Sequence, residues 1–345
     1  MVVNLIYRCI HLWVIFNLSL IFAVLTILRM AILLVRKGPR KMFEWKNRDK
    51  EPECLGNKSL GTHGYLHLED IRIHYVSNGS DDKPLMLLLH GFPESWYSWR
   101  YQLQYFAKDY RVAAVDLRGY GDSDKPSSIS QYKMEHLVKD VKQIITALGY
   151  RSCVLVGHDW GGGISWAFAG SYPDMVDKVI ILNCPHPQSF YKYLLSHWEQ
   201  FKKSWYMFFF LIPVLPEIYI KLSDMKFFDI IFLGKKDGVL TGATTKDDVE
   251  AYKYLFQKYG SLTGPINYIR AIVLFGVPSR FHKIVTKPVL LIWGCRDLAI
   301  ERGQAEACQA YAENLTIRYL ENASHWVQMD EPNQVNELIK TFIAS

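Results

Sequence analysis

Residues 154–163, VLVGHDWGGG, constrain the fold more than any other stretch of this sequence. An apolar run ends at Gly157, and the glycine-rich start of a helix follows Trp160. This layout is that of a nucleophile elbow, a strained strand-to-helix turn whose tightness requires small residues around the central position. The central residue is Asp159 rather than a serine. The sequence therefore predicts a carboxylate presented at the end of a buried strand.

Continuous apolar runs recur along the chain, as expected for strands that are buried on both faces. They occupy residues 85–89, 112–115, 153–156 and 179–182, and further strands are predicted at 289–294 and 316–320. Segments with helical spacing lie between or after them, notably residues 134–148, 162–172 and 333–343. Residues 65–69 and 71–76 instead alternate in polarity, which is typical of half-buried antiparallel strands. The pattern predicts an α/β fold with a doubly wound, mostly parallel sheet.

The alternation of strands and helices stops between residues 185 and 282, a segment rich in aromatic residues with helical spacing. An insertion between two halves of one sheet explains this pattern, and we expect it to be a helical lid. The predicted organisation is a membrane anchor at 1–35, a linker at 36–61, the first part of the core at 62–184, the lid at 185–282 and the second part of the core at 283–345.

An uncharged run at residues 9–28 is long enough to cross a bilayer, since 20 helical residues span roughly 30 Å. No small-residue cleavage site follows it, and its polar residues are too few to form a polar face. We therefore predict a single membrane anchor, with the endoplasmic reticulum as the expected membrane. Five basic residues follow the run: Arg29, Arg36, Lys37, Arg40 and Lys41. By the positive-inside rule this bias favours a cytoplasmic catalytic domain.

The charge pattern argues against a nucleic-acid partner, because the net charge of +6 is otherwise spread along the chain. The six cysteines are widely spaced and lack the Cys and His spacings of a zinc site. We expect neither a metal nor a cofactor, and the oligomeric state remains open.

Three groups suited to catalysis follow predicted strands in the order Asp159, Asp297, His325. The carboxyl ends of parallel strands meet at one edge of the sheet, where ligands bind. A carboxylate that attacks an sp³ carbon forms an ester, which water activated by a histidine can hydrolyse. We therefore predict Asp159 as nucleophile, His325 as general base and Asp297 as the acid that orients it. Asp330 is a less well placed alternative to Asp297.

Two backbone amides are predicted to stabilise the negative charge of the hydrolytic intermediate, those of Phe92 and Trp160. Phe92 belongs to the segment His90-Gly-Phe-Pro93, which follows another predicted strand. His158, beside the nucleophile, is expected to be a packed neighbour rather than a base.

With these motifs the sequence resembles the epoxide hydrolases of the α/β-hydrolase fold, most of all their membrane-anchored animal branch. The resemblance covers about residues 60–343. It is carried by HGFPESWYSWR from His90, DLRGYGDSDKP from Asp116, GHDWGG from Gly157, Ser204-Trp-Tyr206, Gly264-Pro-Ile-Asn267, Trp293-Gly-x-x-Asp297 and Ala323-Ser-His325-Trp. It implies conversion of epoxides to vicinal diols without metal or cofactor, and the aromatic lid favours a lipophilic epoxide such as a lipid epoxide.

The resemblance also implies two lid tyrosines that donate protons to the epoxide oxygen. Tyr206 matches the first, but Ile269 stands at the position of the second. Tyr268 lies one residue earlier, which on a helix turns its side chain about 100° away. It is a possible second donor only if the helix is rotated, and a packing role fits it equally well.

Two other functions remain open from the sequence. A haloalkane dehalogenase also uses an Asp nucleophile, but that class has a halide-binding Asn where this chain has Pro93. Dehalogenases of the fluoroacetate type carry arginine where Trp160 stands. A catalytically silent, membrane-tethered binding protein would explain the missing second tyrosine, although the intact Asp159, Asp297 and His325 argue against it.

Overall fold

The protein is built on an eight-stranded sheet with helices on both faces. The computed structural model describes residues 2–236 and 238–345, with side chains from Trp13 onward. The strand order is β1-β2-β4-β3-β5-β6-β7-β8. The first two strands pair antiparallel with each other, β2 also pairs antiparallel with β4, and the remaining pairs are parallel. The prediction of a mostly parallel α/β sheet is confirmed.

The strands lie close to the predicted apolar runs. They are β1 Thr62–His67, β2 Arg72–Asn78, β3 Leu85–Leu89, β4 Arg111–Val115, β5 Cys153–His158, β6 Val176–Leu182, β7 Val289–Gly294 and β8 Leu315–Leu320. Every residue of β3, β5 and β7 is buried. A run of apolar residues without alternation therefore marks a strand that is covered by helices on both sides.

The helices divide between the core and the insertion. They are α1 Val2–Met42, α2 Arg100–Phe106, α3 Met134–Ala147, α4 Trp160–Ser171, α5 Pro187–Ser196, α6 Trp198–Lys203, α7 Trp205–Phe210, α8 Leu215–Leu233, α9 Lys246–Phe256, α10 Thr263–Phe275, α11 Gly303–Ala307, α12 Val327–Asp330 and α13 Pro332–Ala344. Helices α5 to α10 follow β6 and precede β7, within the range that the sequence assigns to the lid. They lie above the carboxyl edge of the sheet, where the candidate catalytic groups gather.

Helix α8 is interrupted by three consecutive residues in the left-handed region, Ser223, Asp224 and Met225, with φ of 51°, 56° and 55°. Such a conformation is unfavourable for residues other than glycine and persists only when surrounding contacts hold it. Arg48 supplies such contacts, because its Nη1 and Nη2 donate to the two carboxylate oxygens of Asp224 at 2.8 and 2.6 Å. The backbone N–H of Asp224 also donates to the Glu44 carbonyl at 2.9 Å.

Helix α1 continues beyond the predicted anchor, with a non-helical break at Gly38 (φ 76°, ψ 160°) just before Pro39. The part from Trp13 to Met42 is the one helix in the described residues that is long and apolar enough to cross a membrane, as judged by length and composition. Part of the predicted run, residues 9–12, has side chains outside the described set. The segment predicted as a linker, residues 36–61, is attached to the lid through Arg48, which is buried and forms ion pairs with Asp224 and Glu250.

Candidate active site

The elbow at Asp159 has the strained geometry that its sequence predicts. Asp159 adopts φ 49° and ψ −117° between β5 and α4. A Cβ atom on Gly161 would lie 2.1 Å from the Leu89 carbonyl oxygen, and one on Gly157 would lie 2.4 Å from the Gly161 carbonyl oxygen. Both distances are prohibitive, so the turn closes only with glycine at these positions. The strained turn holds the Asp159 carboxylate, which is 22% exposed, above the end of the sheet.

His325 and Asp297 meet Asp159 at this edge. The Nδ1 atom of His325 lies 2.6 Å from Oδ2 of Asp297, and its Nε2 lies 3.7 Å from Oδ2 of Asp159. Asp297 is held in turn by the backbone N–H groups of Ala299 and Ile300, which donate to its Oδ1 at 2.7 and 2.9 Å. The structure therefore brings the three predicted site residues together, with His325 between the carboxylates of Asp297 and Asp159.

The electrostatics of this arrangement depend on burial and mutual charge. Burial by itself would raise the pKa of Asp297, but the charge of His325 and its hydrogen bond lower that pKa overall. Burial would likewise lower the pKa of His325, yet the carboxylates of Asp297 and Asp159 raise it well above its ordinary value. The charge of Asp297, and after it that of Asp159, thus stabilises the imidazolium form of His325.

One of the two predicted amides contacts Asp159 directly. The backbone N–H of Phe92 donates to Oδ1 of Asp159 at 2.8 Å, which leaves Oδ2 facing His325. Trp160 is the first residue of α4, where backbone N–H groups have no partner within the helix. The two carboxylate oxygens of Asp159 are therefore in different environments.

A further buried carboxylate, Glu94, supports the site and was not singled out from the sequence. Its Oε2 lies 2.7 Å from Nδ1 of His158, and Nε2 of His158 lies 2.9 Å from the His325 carbonyl oxygen. Although burial would raise the pKa of Glu94, the neighbouring His158 lowers it to about 2. His158 is thus a positioning neighbour that ties the loop of His325 to the HGFPE segment. The position of Glu94 directly after Pro93 in that segment was the available signal.

The buried Asn183 was also missed. Its Nδ2 donates to Oδ2 of Asp297 at 2.9 Å, and its Oδ1 accepts from the Gly294 backbone N–H at 2.8 Å. It follows β6 directly, so the rule that ligands gather at carboxyl ends of strands would have found it. Asp330 has a different role from the one considered for it, because it accepts from the Ser324 and Thr241 backbone N–H groups at 2.7 and 3.0 Å.

The two candidate proton donors of the lid, Tyr206 and Tyr268, have different surroundings. Tyr206, half-buried on α7, lies with its ring 6.0 Å from that of Phe210, and the Phe210 ring lies 5.5 Å from that of Phe92. Burial, followed by the charge of Asp159, raises the pKa of Tyr206. Its hydroxyl is therefore protonated at neutral pH and available as a donor.

Tyr268 does not point toward the nucleophile in this structure. Its hydroxyl donates to the Arg118 carbonyl at 2.8 Å, and its ring packs edge-on against Trp160 with centroids 5.4 Å apart. Helix α10 is not rotated in the way that a donor role for Tyr268 would require. The interactions of Tyr268 correspond instead to the packing role that the sequence also allowed. Ile269 is buried beside it.

Metal-binding residues do not cluster at the site: across the residues that the structure describes, no group of three His, Cys, Asp or Glu side chains is placed to hold an ion. The polar groups described above are instead bonded to one another.

The fold and this arrangement of groups define an α/β-hydrolase. The family model of the alpha/beta hydrolase fold matches residues 84–211. Human epoxide hydrolase 4 is 47% identical over 312 residues, which cover 89% of this chain and 86% of the human protein. Epoxide hydrolase 3 of Xenopus tropicalis is 42% identical over 336 residues, covering 96% of this chain and 91% of that protein.

Solved structures give the same result. An epoxide hydrolase from Bacillus megaterium, crystallised with an inhibitor, superposes with a TM-score of 0.75 at 34% identity and covers 82% of this chain and 100% of that one. An epoxide hydrolase from Vigna radiata superposes with a TM-score of 0.70 at 26% identity, covering 84% and 99%. The chain belongs to the α/β-hydrolase-fold epoxide hydrolases, and it is a hydrolase.

Proposed function

We propose that this protein is a membrane-anchored enzyme that converts lipophilic epoxides, including lipid epoxides, to vicinal diols through an ester on Asp159. The single observation that carries the proposal is the Asp159 carboxylate on its strained elbow, with one oxygen held by the Phe92 amide and the other facing His325. A carboxylate in this position suits attack on carbon followed by hydrolysis, rather than acyl transfer from a serine.

In the first step, Oδ2 of Asp159 attacks a ring carbon and the carbon–oxygen bond of the epoxide breaks. The ring oxygen takes a proton from the Tyr206 hydroxyl, and the resulting phenolate regains one, through water, from the imidazolium of His325 once Asp159 has lost its charge. The Phe92 amide keeps Oδ1 in place, so this oxygen becomes the ester carbonyl. Burial raises the pKa of Tyr206 above its ordinary value, so the hydroxyl is protonated when negative charge develops on the ring oxygen.

In the second step, water attacks the ester carbon and gives its proton to Nε2 of His325. Formation of the ester removes the charge on Asp159 that helps to raise the pKa of His325. Alkylation therefore shifts His325 toward the neutral form that can accept a proton from water, while Asp297 keeps its Nδ1 protonated. The amides of Phe92 and Trp160 stabilise the oxyanion. Its collapse expels the diol oxygen, which takes the proton from His325.

The substrate class and the location of the enzyme rest on its apolar surfaces. The aromatic rings of Phe92, Phe210 and Phe227 surround the approach to Asp159, with Phe92 and Phe227 centroids 6.4 Å apart. These rings favour a greasy substrate over a sugar or a nucleotide. Helix α1 exposes Trp13 and Phe16 at 66% and 65%, which supports an anchor in a membrane. The basic residues that follow the uncharged run support a cytoplasmic catalytic domain, and the endoplasmic reticulum is the membrane that we propose.

The test combines trapping of the ester with isotope labelling. We expect Asp159→Ala to abolish diol formation from a lipophilic epoxide, and His325→Gln to accumulate protein whose mass is increased by that of the epoxide. His67→Gln, on the exposed edge strand β1, is the matched control and should turn over normally. In a single turnover of wild type in ¹⁸O-water, the label should appear in Asp159 and not in the diol.

Three outcomes would contradict the proposal. Wild type that forms no diol from a broad epoxide panel, with no adduct on the histidine variant, would overturn the enzymatic claim. Release of halide from chloroalkanes in place of epoxide turnover would assign a dehalogenase. Label found in the diol after one turnover would exclude the ester on Asp159 in favour of direct attack by water.

A further inference from the structure

The N-terminal helix α1 lies against the lid along one narrow stripe. Ser19, Ala23 and Thr26 are buried at 3%, 6% and 8% exposure and recur at helical spacing, whereas Phe16, about one turn nearer the amino terminus, is 65% exposed. Small residues on one face allow a second helix to approach closely. The helices that contact α1 are mainly α7 and α8. Helix α1 is therefore in direct contact with the lid helix that carries Tyr206.

Phe22, on the same stripe, makes the aromatic part of this contact. Its ring lies 6.0 Å from that of Trp205 and stacks on that of Phe208 at 6.2 Å with an interplanar angle of 16°. Offset stacks and tilted pairs at such distances are favourable beyond the area that they bury. Trp205 and Phe208 belong to α7, and Tyr206 stands between them in the sequence.

Helix α7 has only six residues, so its position depends on its neighbours rather than on its own stability. Its carboxyl end is held by Arg270, which donates to the carbonyl groups of Phe210 and Ile212, both at 2.9 Å. Its amino end is held where Nε2 of Gln200 donates to Oγ of Ser204 at 3.0 Å. These bonds locate the two ends, but they leave the rotation of the helix about its axis to the packing of its side chains.

Packing acts on α7 from two sides. On the inner side, the ring of Phe210 contacts those of Phe92 and Tyr206. On the outer side, Phe22 contacts Trp205, the residue next to Tyr206. Neighbouring residues of a helix point about 100° apart, so a rotation that moves Trp205 also moves the Tyr206 hydroxyl.

We propose that α1 is a structural part of the lid and that Phe22 is a positioning residue, which sets the rotation of α7 and so the position of the Tyr206 hydroxyl. The inference rests on the proposed function, in which Tyr206 donates the proton to the epoxide oxygen. The segment after α1 reinforces the attachment, because Arg48 binds Asp224 at the break in α8. Because Phe22 lies within the run assigned to the anchor, the lid face that contacts it adjoins the membrane, and the helix has a role in epoxide opening in addition to membrane attachment.

The kinetic test uses the full-length protein in lipid nanodiscs. Phe22→Ala should slow formation of the ester about tenfold or more, since small displacements of a catalytic group have large effects on rate. Hydrolysis of the ester, which does not use Tyr206, should be unchanged. Phe22→Leu should restore most of the rate, and Phe16→Ala, at a side chain that is 65% exposed, should behave as wild type. In a Tyr206→Phe background, Phe22→Ala should have no further effect.

A structural measurement decides the physical contact independently of activity. Amide hydrogen exchange of residues 205–210 should increase in Phe22→Ala and stay unchanged in Phe16→Ala. Unchanged exchange in Phe22→Ala would overturn the inference, even if wild type proved inactive on every epoxide and the proposed function failed. Equal slowing of ester formation and hydrolysis, or an undiminished effect of Phe22→Ala in the Tyr206→Phe background, would also refute it.

Discussion

Replacing Asp297 by asparagine tests the hydrolytic step most sharply. Both oxygens of Asp297 act as acceptors: Oδ2 binds His325 and Asn183, while Oδ1 binds the amides of Ala299 and Ile300. An asparagine must turn its NH₂ group toward one of these pairs of donors. If it faces His325, the imidazole can accept that hydrogen bond only by moving its proton to Nε2, which then cannot accept a proton from water.

The expected magnitude follows from the buried, charged character of this hydrogen bond. Hydrogen bonds to charged groups contribute about 1.5–3 kcal/mol, which corresponds to roughly 10- to 150-fold in rate. The wrong tautomer adds to this loss, and the same change in a Ser-His-Asp triad costs about 10⁴-fold. We therefore expect hydrolysis of the ester to slow by about 10²- to 10⁴-fold. Ester formation should be affected far less, because Asp159 performs the attack.

The assay is a rapid-quench experiment followed by mass spectrometry of the intact protein. Asp297→Asn should show a burst of ester formation and a slow decay, with little steady-state diol. Asp330→Asn is the matched control, because Asp330 is also a buried carboxylate near His325 but holds the Ser324 and Thr241 amides. Hydrolysis at the wild-type rate in Asp297→Asn, or an equal loss in both variants, would refute the reasoning.

Three further predictions test the charges and the lid. Asp159→Asn should lower the pKa of His325 in an NMR titration, because the variant lacks one of the carboxylates that raise it. The raised pKa stabilises the folded protein below pH about 6.5, and this stabilisation is lost as the pH rises through the pKa of the folded state. The free energy of unfolding of the variant should therefore depend less on pH than that of wild type. Ile269→Tyr should speed ester formation in the rapid-quench assay by restoring a second donor, and an unchanged rate would mean that the lid does not direct this side chain to the ring. Arg48→Met should lower the free energy of unfolding by about 1–3 kcal/mol in denaturant titrations, because Asp224 and Glu250 lose their ion pairs with a guanidinium that is only 4% exposed. Lys46→Met, at a side chain that is 65% exposed, should have little effect.

The sequence by itself determined the sheet and the order of the catalytic groups. Runs such as 85–89 and 289–294 match β3 and β7 residue for residue, because a strand covered on both faces has no place for a polar residue. The elbow at Asp159 was equally clear, since only glycine fits at Gly157 and Gly161. Features of this kind are local, so a few adjacent residues carry the whole signal.

Tertiary structure alone decided contacts between segments that lie far apart in the chain. Asp297 and Asp330 are both suitable acids in sequence, and only the packing of loops directs Asp297 to His325. The direction of the Tyr268 hydroxyl, toward the Arg118 carbonyl, depends on the orientation of α10 against the core. The contact of Phe22 with α7 joins residues that are more than 180 positions apart, as Phe22 and Trp205 show. An apolar run predicts that a helix has apolar surroundings, either a membrane or a protein surface. Whether part of α1 packs on the lid depends on the apolar surface that the folded domain forms there.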